Sequence, residues 1–240
     1  MHSHSPRYFA LIPAAGVGAR MRANGPKQYM SIAGRPMLAH TIDAFLASPL
    51  IAHTYVVVSP DDGLIDKVAA PLLASGKLTI LRCGGATRMD SILNGLHAIE
   101  REVAGSDWML VHDAARPGLT AGLIATLIDA VGSHPVGGLL ALPVVDTVKS
   151  TAGATLHTVP RDGLWLAQTP QMFRFDLLRA ALGAAGDSAA ITDDASAIEA
   201  LGHTPLLVEG HPRNLKVTLP RDIETAALYL AASSTSSPIL

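Results

Sequence analysis

A glycine-rich segment near the start of the chain contains the residue types that bind phosphate. It covers residues 13–29, reads PAAGVGARMRANGPKQY, and carries three basic side chains and no acidic one. Glycine lets backbone N–H groups approach a ligand closely, and successive N–H groups in a tight turn form a concave site for an anion. Basic side chains beside such a turn neutralise phosphate charge. The segment therefore predicts a loop that holds a polyphosphate.

Two common phosphate-binding motifs do not describe this segment. The dinucleotide motif GxGxxG, started at Gly16, would need glycine at position 21, where Met21 stands. The P-loop motif GxxxxGK[ST] also fails, since it would need glycine at position 21 and lysine in place of Arg22. A GxG pair alone usually marks a strand-to-helix turn. The additional cations Arg20 and Lys27 favour a phosphate loop of a third kind.

Short apolar runs alternate with helical patterns along most of the chain. Residues 8–13 read as a buried strand that leads into the glycine-rich loop, and residues 107–112 read as another strand, followed by Asp113. This alternation predicts an α/β, Rossmann-like fold with a mostly parallel twisted sheet and helices on both faces. Ligands bind beyond the carboxyl ends of such strands, so the loop and Asp113 are expected at the same edge of the sheet.

The other elements follow from hydrophobic periodicity and from residues that start or stop helices. Further strands are predicted at 54–59, 78–82, 138–142, 205–208 and 214–218, and helices at 37–46, about 62–73, 88–102, 120–131, 175–185, after 194 and from 220 onward. The pair Asp193 and Asp194 is interpreted as the capped start of a helix rather than as a metal-binding pair.

Residues 144–163 interrupt the alternation of strands and helices. Polar and apolar residues alternate there around a central Gly153, a pattern that predicts a protruding β-hairpin arm. The arm has too few large apolar residues to form a core of its own, so it is either solvated or packed on a partner chain. The rest of residues 1–240 is expected to form a single domain, with a low-complexity tail at 231–240 that frays.

Composition excludes several classes of protein. The chain has 240 residues, of which 49% are hydrophobic, and a formal net charge of −2, which gives no broad basic surface for nucleic acid. A single cysteine, Cys83, excludes an intrachain disulfide and a cysteine-based zinc site. No apolar run approaches the roughly 18 residues that would span a membrane, and the N-terminus lacks the apolar core of a signal peptide. A cytoplasmic location is therefore expected.

Eight short segments spread along the chain form one combined pattern. They are PAAGVGARM with PKQY, GGATRMDS (84–91), VHDAARP (111–117), DTVK (146–149), RDGLW (161–165), QTPQMF (168–173), TDDAS (192–196) and NLKVT (214–218). Together they resemble the 2-C-methyl-D-erythritol 4-phosphate cytidylyltransferase family, in the order that this family has them. The first loop alone would indicate only the wider group of sugar nucleotidyltransferases, whereas the VHDAARP, QTPQ and KVT segments are more specific.

The resemblance implies a reaction of the non-mevalonate isoprenoid pathway. CTP and 2-C-methyl-D-erythritol 4-phosphate would give the cytidine diphosphate derivative and pyrophosphate, with Mg²⁺ as the divalent cation. A phosphate oxygen of the acceptor would attack the α-phosphorus in line, so no protein nucleophile is required. Catalysis would then consist of positioning and of neutralising charge in the transition state.

The resemblance also implies a role for particular residues. Arg20 and Lys27 match the catalytic pair that stabilises the transition state, and Asp113 matches the residue that contacts the metal. Arg161, Lys216 and Thr147 match positions that hold the acceptor, and the first and last of these would reach the site from a neighbouring subunit of a homodimer. The nucleotide-binding positions are Ala14, Ala15, Gly16, Gly18, Gly85, Ser91, Asp113 and Ala114.

Alternatives remain open at this point. The sister activity on D-ribitol 5-phosphate shares the nucleotide half of the pattern and differs in the arm and the acceptor pocket. A catalytically silent nucleotide-binding protein would have no need for Arg20, Lys27, Arg161 and Lys216 together. An NAD-dependent oxidoreductase is disfavoured because the dinucleotide motif is missing.

Overall fold

The computed structural model describes residues 5–16, 25–153, 155–186 and 191–235. The strands are β1 (Tyr8–Pro13), β2 (Ser31–Ile32), β3 (Arg35–Pro36), β4 (Ile51–Val57), β5 (Leu78–Leu81), β6 (Trp108–Val111), β7 (Gly137–Pro143), β8 (Val148–Ser150), β9 (His157–Val159), β10 (Trp165–Arg174) and β11 (Leu206–Glu209). The helices are α1 (Met37–Leu46), α2 (Ile65–Leu73), α3 (Arg88–Ala98), α4 (Ala121–Val131), α5 (Phe175–Ala185), α6 (Asp194–Ala200) and α7 (Pro220–Thr235).

Seven strands form one twisted sheet in the order β11-β7-β10-β6-β1-β4-β5. The pairs β1–β4, β1–β6, β4–β5 and β11–β7 are parallel, whereas β10 runs antiparallel to both of its neighbours. The expected Rossmann-like α/β class is therefore confirmed, with a single reversed strand near the centre of the sheet. The ends of β1, β4, β5 and β6 meet at one edge, which is where ligands bind in such sheets.

Both faces of the sheet are covered by helices. Alternate residues of β1 point to opposite faces, so Ala10 and Ile12 pack with α1, α2 and α4. Phe9 and Leu11 pack with α3, α5 and α6 on the other face. Strands buried on both faces are the reason that β1 reads as an unbroken apolar run.

Two segments differ from the sequence predictions. The segment 165–174, to which the helix and strand patterns assigned no element, is β10, the longest strand among the described residues. The segment 214–218, expected to be a strand, contains the end of a 3-10 turn (Pro212–Asn214) and then extended backbone. Its N–H at Val217 donates to the carbonyl of Ala115 at 2.8 Å, which is a single bond rather than a ladder.

The predicted arm is a two-stranded antiparallel hairpin, with Val148 opposite Val159. None of the described residues between 144 and 163 is buried. At the other end of the chain, α7 continues to Thr235, so the first half of the tail expected to fray is helical, while 236–240 lie outside the described residues. Within the described ranges, no helix has both the length and the apolar character needed to cross a membrane.

Candidate active site

A cavity of about 550 Å³ opens at the carboxyl edge of the sheet, beyond β1 and β6. The charged side chains among the described residues that line it are Lys27, Arg88, Lys216 and Asp113. Three cations against one carboxylate give the cavity a net positive charge. Such a cavity suits an anionic ligand of nucleotide size.

The end of β1 is tied to the turn that carries Lys27. The side-chain amide of Gln28, which is buried, donates to the carbonyl of Ala14 at 2.7 Å. The N–H of Ala14 donates to the carbonyl of Val57 at 2.7 Å, which holds it in line with β4. Lys27 lies on a 3-10 turn and donates to the carbonyl of Val217 at 3.2 Å. Both ends of the glycine-rich loop are thus anchored beside the cavity.

The opposite wall of the cavity is the turn before α3. Thr87 caps this helix in a capping box, since its hydroxyl accepts from the N–H of Asp90 at 3.0 Å and the Asp90 carboxylate accepts in return at 2.9 Å. The hydroxyl of Ser91 accepts from the N–H of Gly85 and donates to the carbonyl of Thr87. A side chain at Gly85 would meet Cβ of Asp90 at 2.4 Å, so this position requires glycine.

Asp113 stands at the end of β6 among three cations. Its Oδ1 accepts from Nε of Arg88 at 2.9 Å, and its Oδ2 accepts from Nζ of Lys216 at 2.8 Å. Nε of Arg116 lies 3.5 Å from Oδ2 as a further ion pair. Burial alone would raise the pKa of this carboxyl, but the charges of Arg88 and Lys216 hold it well below its usual range. Asp113 is therefore ionised at neutral pH.

Arg88 connects this cluster to α6. Its two terminal nitrogens donate to both carboxylate oxygens of Asp194 at 3.0 and 2.9 Å. Burial raises the pKa of Asp194. Burial alone would lower the pKa of Arg88, but its two carboxylate partners raise that pKa instead. Asp193 caps α6, as expected from the sequence, because its side chain accepts from the N–H of Ser196. Asp194, however, is an ion-pair partner rather than a second cap.

Buried polar groups form hydrogen bonds with the loop after β6. His112 is fully buried, and burial lowers its pKa to about 3, so the imidazole is neutral at pH 7. Its Nδ1 lies 2.9 Å from the hydroxyl of Thr169, and that hydroxyl accepts from the N–H of Asp113 at 3.1 Å. Arg116, also buried, donates to the carbonyls of Asn214 and Ala167.

The structure brings most of the residues predicted from the sequence into one cavity. Those that line it are Ala14, Ala15, Gly16, Lys27, Gly85, Ser91, Asp113, Ala114 and Lys216. Thr147 and Arg161 lie on the exposed arm and do not line the cavity of this single chain. Gly18 and Arg20 lie outside the described residues.

Arg88 and Gln28 are the main lining residues that the sequence interpretation did not single out. Arg88 is the first residue of α3, where a cation is unfavourable because the positive end of the helix dipole lies there. An arginine at that position indicates acidic partners elsewhere in the chain. This signal would have drawn attention to Arg88, although it would not have named Asp113 or Asp194.

The residues present fit a divalent cation that is bound mostly by ligand phosphates. Among the described residues, no three His, Cys, Asp or Glu side chains cluster as a metal cage. Magnesium commonly uses one or two carboxylates together with phosphate oxygens and water. Each oxygen of Asp113 accepts one hydrogen bond from a cation, and a carboxylate offers about four acceptor sites in all. Asp113 therefore has acceptor capacity left for such an ion.

A positively charged cavity of nucleotide size, at the carboxyl edge of an α/β sheet and beside the ends of a glycine-rich loop, is the arrangement of a nucleotide-binding α/β protein. The family model described as "IspD: 2-C-methyl-D-erythritol 4-phosphate cytidylyltransferase" matches residues 8–232. The chain therefore belongs to the 2-C-methyl-D-erythritol 4-phosphate cytidylyltransferase family.

Individual relatives agree with this assignment over nearly their whole length. The 2-C-methyl-D-erythritol 4-phosphate cytidylyltransferase of Dechloromonas aromatica (strain RCB) is 50% identical over 232 residues, which cover 95% of this chain and 99% of the relative. That of Paraburkholderia phymatum is 51% identical over 230 residues, which cover 93% and 96%. A crystal structure of a 4-diphosphocytidyl-2C-methyl-D-erythritol synthase superimposes with a TM-score of 0.82 at 42% identity, covering 95% of this chain and all of that one.

Proposed function

We propose that this chain transfers the cytidylyl group of CTP to 2-C-methyl-D-erythritol 4-phosphate. The products are 4-diphosphocytidyl-2-C-methyl-D-erythritol and pyrophosphate, in the synthesis of isoprenoid precursors by the non-mevalonate route, and we place this activity in the cytoplasm, where CTP is available. The observation that carries the proposal is membership of the family over residues 8–232. The positively charged cavity supports it, because both substrates and both products are phosphates.

The reaction needs no covalent bond to the protein. An oxygen of the acceptor phosphate attacks the α-phosphorus of CTP, a new P–O bond forms, and the bond from the α-phosphorus to the bridging oxygen breaks as pyrophosphate leaves. Lys27 and Arg20 stabilise the negative charge that builds up on the transferred and departing phosphates. Lys27 already lies in the cavity, on a turn anchored by Gln28.

The nucleotide is held mainly by backbone groups. Ala15, Gly16 and Gly18 would offer N–H donors to the triphosphate, while Ala14, whose own N–H is bonded to Val57, lies beside it. Gly85 and Ser91 form the turn beside the base. Ser91 acts on the shape of this turn, because its hydroxyl is bonded to both Gly85 and Thr87. Asp113 and Ala114 contact the nucleotide from the end of β6.

The bound nucleotide would bring a divalent cation, Mg²⁺, to the site. Asp113 would hold it together with phosphate oxygens, and the ion would supply Lewis-acid neutralisation of the triphosphate. Arg88 and Lys216 keep the Asp113 carboxylate ionised, and Lys216 itself contacts the acceptor phosphate.

The acceptor site is completed by a second copy of the chain. Thr147 and Arg161 lie on the arm of residues 144–163, away from the cavity of their own chain. The arm and the adjoining strand also expose large apolar side chains, which are Val145, Leu156, Leu164, Trp165 and Leu166. Exposed apolar groups of this size favour burial against a partner. We therefore propose that residues 1–240 form one domain whose arm makes a homodimer with composite sites.

Complementation between two variants tests the composite site. Lys27→Ala removes a cation from the nucleotide half, and Arg161→Ala removes one from the arm. Each homodimer should be nearly inactive, whereas a mixed dimer contains one site with both residues intact and should recover part of the activity. Mixed dimers can be isolated by giving the two variants different affinity tags. If these dimers recovered no activity, the exchange of arms would be contradicted.

A comparison of two substrates tests the identity of the acceptor. Pyrophosphate release is measured with CTP and Mg²⁺ and with either 2-C-methyl-D-erythritol 4-phosphate or D-ribitol 5-phosphate. Turnover with the first alone supports the proposed function, and turnover with the second alone would replace it by the sister activity. CTP binding without turnover on either acceptor would favour a silent nucleotide-binding protein.

A further inference from the structure

Several backbone groups of the loop that carries Asp113 are bonded to other parts of the chain. The carbonyl of Asp113 accepts from the N–H of Arg116 at 3.1 Å, and the carbonyl of Ala114 accepts from the hydroxyl of Thr41 at 3.2 Å. The carbonyl of Ala115 accepts from the N–H of Val217 at 2.8 Å. Two bonds remain, at the N–H of Asp113 and at the carbonyl of Arg116, and both lead to His112.

His112 joins the two ends of this loop through its two ring nitrogens. Nδ1 lies 2.9 Å from the hydroxyl of Thr169, which in turn accepts from the N–H of Asp113 at 3.1 Å. Nε2 lies 3.2 Å from the carbonyl of Arg116. The imidazole is fully buried and packs edge-on against Phe45, with ring centroids 5.5 Å apart. Neither nitrogen reaches the cavity, so His112 does not touch a substrate.

Only one arrangement of protons satisfies every group in this chain of bonds. The Arg116 carbonyl can only accept, so Nε2 carries the proton and donates to it. The Thr169 hydroxyl accepts from Asp113 and must place its own proton on an acceptor, which is the unprotonated Nδ1. The chain of bonds therefore runs in one direction from the Asp113 N–H through Thr169 to His112 and on to Arg116.

We propose that His112 is a positioning residue for the transfer reaction, acting through Thr169 and the carbonyl of Arg116. It fixes the backbone of residues 113–116 and thereby the direction of the Asp113 carboxylate, which bonds Lys216 at 2.8 Å. This inference rests on the proposed function for its kinetic consequence, but its structural content does not depend on the substrate.

Substitutions at Thr169 separate a positioning role from a general effect on stability. Thr169→Val keeps the shape but leaves the N–H of Asp113 without a partner, whereas Thr169→Ser keeps the hydroxyl and is the matched control. The unpaired N–H of Asp113 favours a shifted loop, and a misplaced Asp113 should lower kcat of the valine variant by about tenfold to hundredfold. KM for CTP should change less than kcat, because the wall formed by 84–91 and the turn that carries Lys27 are unaffected.

Two replacements of His112 each keep one of its two hydrogen bonds and remove the other. His112→Asn retains an acceptor near the place of Nδ1 but cannot reach Arg116, and His112→Gln retains a donor near the place of Nε2. Each variant should lower kcat, and combining His112→Gln with Thr169→Val should add little, since both break the same link. Fully additive losses, or equal kcat for the serine and valine variants well below their melting temperatures, would overturn the proposal.

A second readout needs no turnover and uses the ligand-free protein. In ¹H–¹⁵N spectra, the His112 ring is assigned by its absence in His112→Asn and should carry its proton on Nε2. Backbone amide signals of residues 113–116 should shift in Thr169→Val and stay in place in Thr169→Ser. A proton on Nδ1, or unshifted amides in the valine variant, would refute the positioning chain even if the wild type proved inactive on every acceptor. Turnover by the wild type is scored separately and decides only the proposed function.

Discussion

Replacing Asp194 by asparagine is expected to destabilise the fold by breaking a buried ion pair. The side chain of Asp194 is 1% exposed and bonds both terminal nitrogens of Arg88, whose side chain is 30% exposed. Asparagine keeps the shape of the carboxylate but removes the charge and one of the two acceptors. Arg88 would then keep its bond to Asp113 and one bond to the amide oxygen, with only one carboxylate partner left.

The magnitude follows from how much of the pair remains solvated. Removing one partner of a fully buried ion pair costs about 3–5 kcal/mol, because the other charge stays buried without compensation. Here Arg88 retains Asp113 and part of its side chain reaches water, and asparagine can still accept one hydrogen bond. We therefore expect the free energy of unfolding to fall by about 2 kcal/mol.

Urea unfolding followed by circular dichroism measures this loss, with both proteins at the same concentration because a dimer would unfold in a concentration-dependent way. The matched control is Glu100→Gln, which breaks the pair between Glu100 and Arg179 on the surface, where the side chains are 47% and 38% exposed. An exposed pair of this kind contributes about 0.5 kcal/mol or less.

The reasoning would be refuted if Asp194→Asn unfolded at the same urea concentration as the control variant. A double-mutant cycle sharpens the test, since Arg88→Met combined with Asp194→Asn should cost less than the sum of the two single changes. Additive costs would show that Arg88 and Asp194 do not stabilise the fold through each other.

Three further predictions concern the phosphate loop, the pH dependence of stability and the metal. Gly84→Ala should raise KM for CTP and lower the melting temperature, because a Cβ there would lie 2.4 Å from Cβ of Ala15 and 2.8 Å from the carbonyl of Val58; unchanged steady-state kinetics would contradict this. Burial would raise the pKa of Asp107, but N–H donors and the charge of Arg7 lower it. Asp107 therefore contributes its full stabilisation above its pKa in the unfolded chain and loses it as pH falls through its lower pKa in the folded protein. The difference in unfolding free energy between wild type and Asp107→Asn should therefore shrink below pH of about 4, and a constant difference would count against it. Chelation of divalent cations with EDTA should abolish pyrophosphate release, and added Mg²⁺ should restore it; full activity in EDTA would exclude the metal.

Residues that follow strands were the easiest part of the site to predict from the sequence. Gly16, Asp113 and Gly85 follow the ends of β1, β6 and β5 within a few positions, and the carboxyl ends of parallel strands meet at one edge. Their convergence on a single cavity thus follows from local patterns and a general rule of topology.

Contacts between distant segments could not be predicted in the same way. Arg88 and Asp194 are 106 positions apart, and nothing in either local pattern specifies the other. The unassigned segment 165–174 and the wrongly assigned segment 214–218 have related causes. β10 is a strand because it pairs with a strand on each side. The segment 214–218 has an extended pattern but pairs with no strand. Strand formation depends on neighbours more than on local preference.

The central claim is that this chain makes a new phosphoanhydride bond between CTP and a polyol phosphate. Phosphorus NMR of one reaction, with CTP, Mg²⁺ and 2-C-methyl-D-erythritol 4-phosphate, follows every phosphorus atom at once. The account predicts that the signals of CTP and of the phosphomonoester disappear together while a diphosphate diester and pyrophosphate appear in equal amounts. Formation of CDP and free phosphate, or a phosphomonoester signal that persists while CTP is consumed, would contradict it.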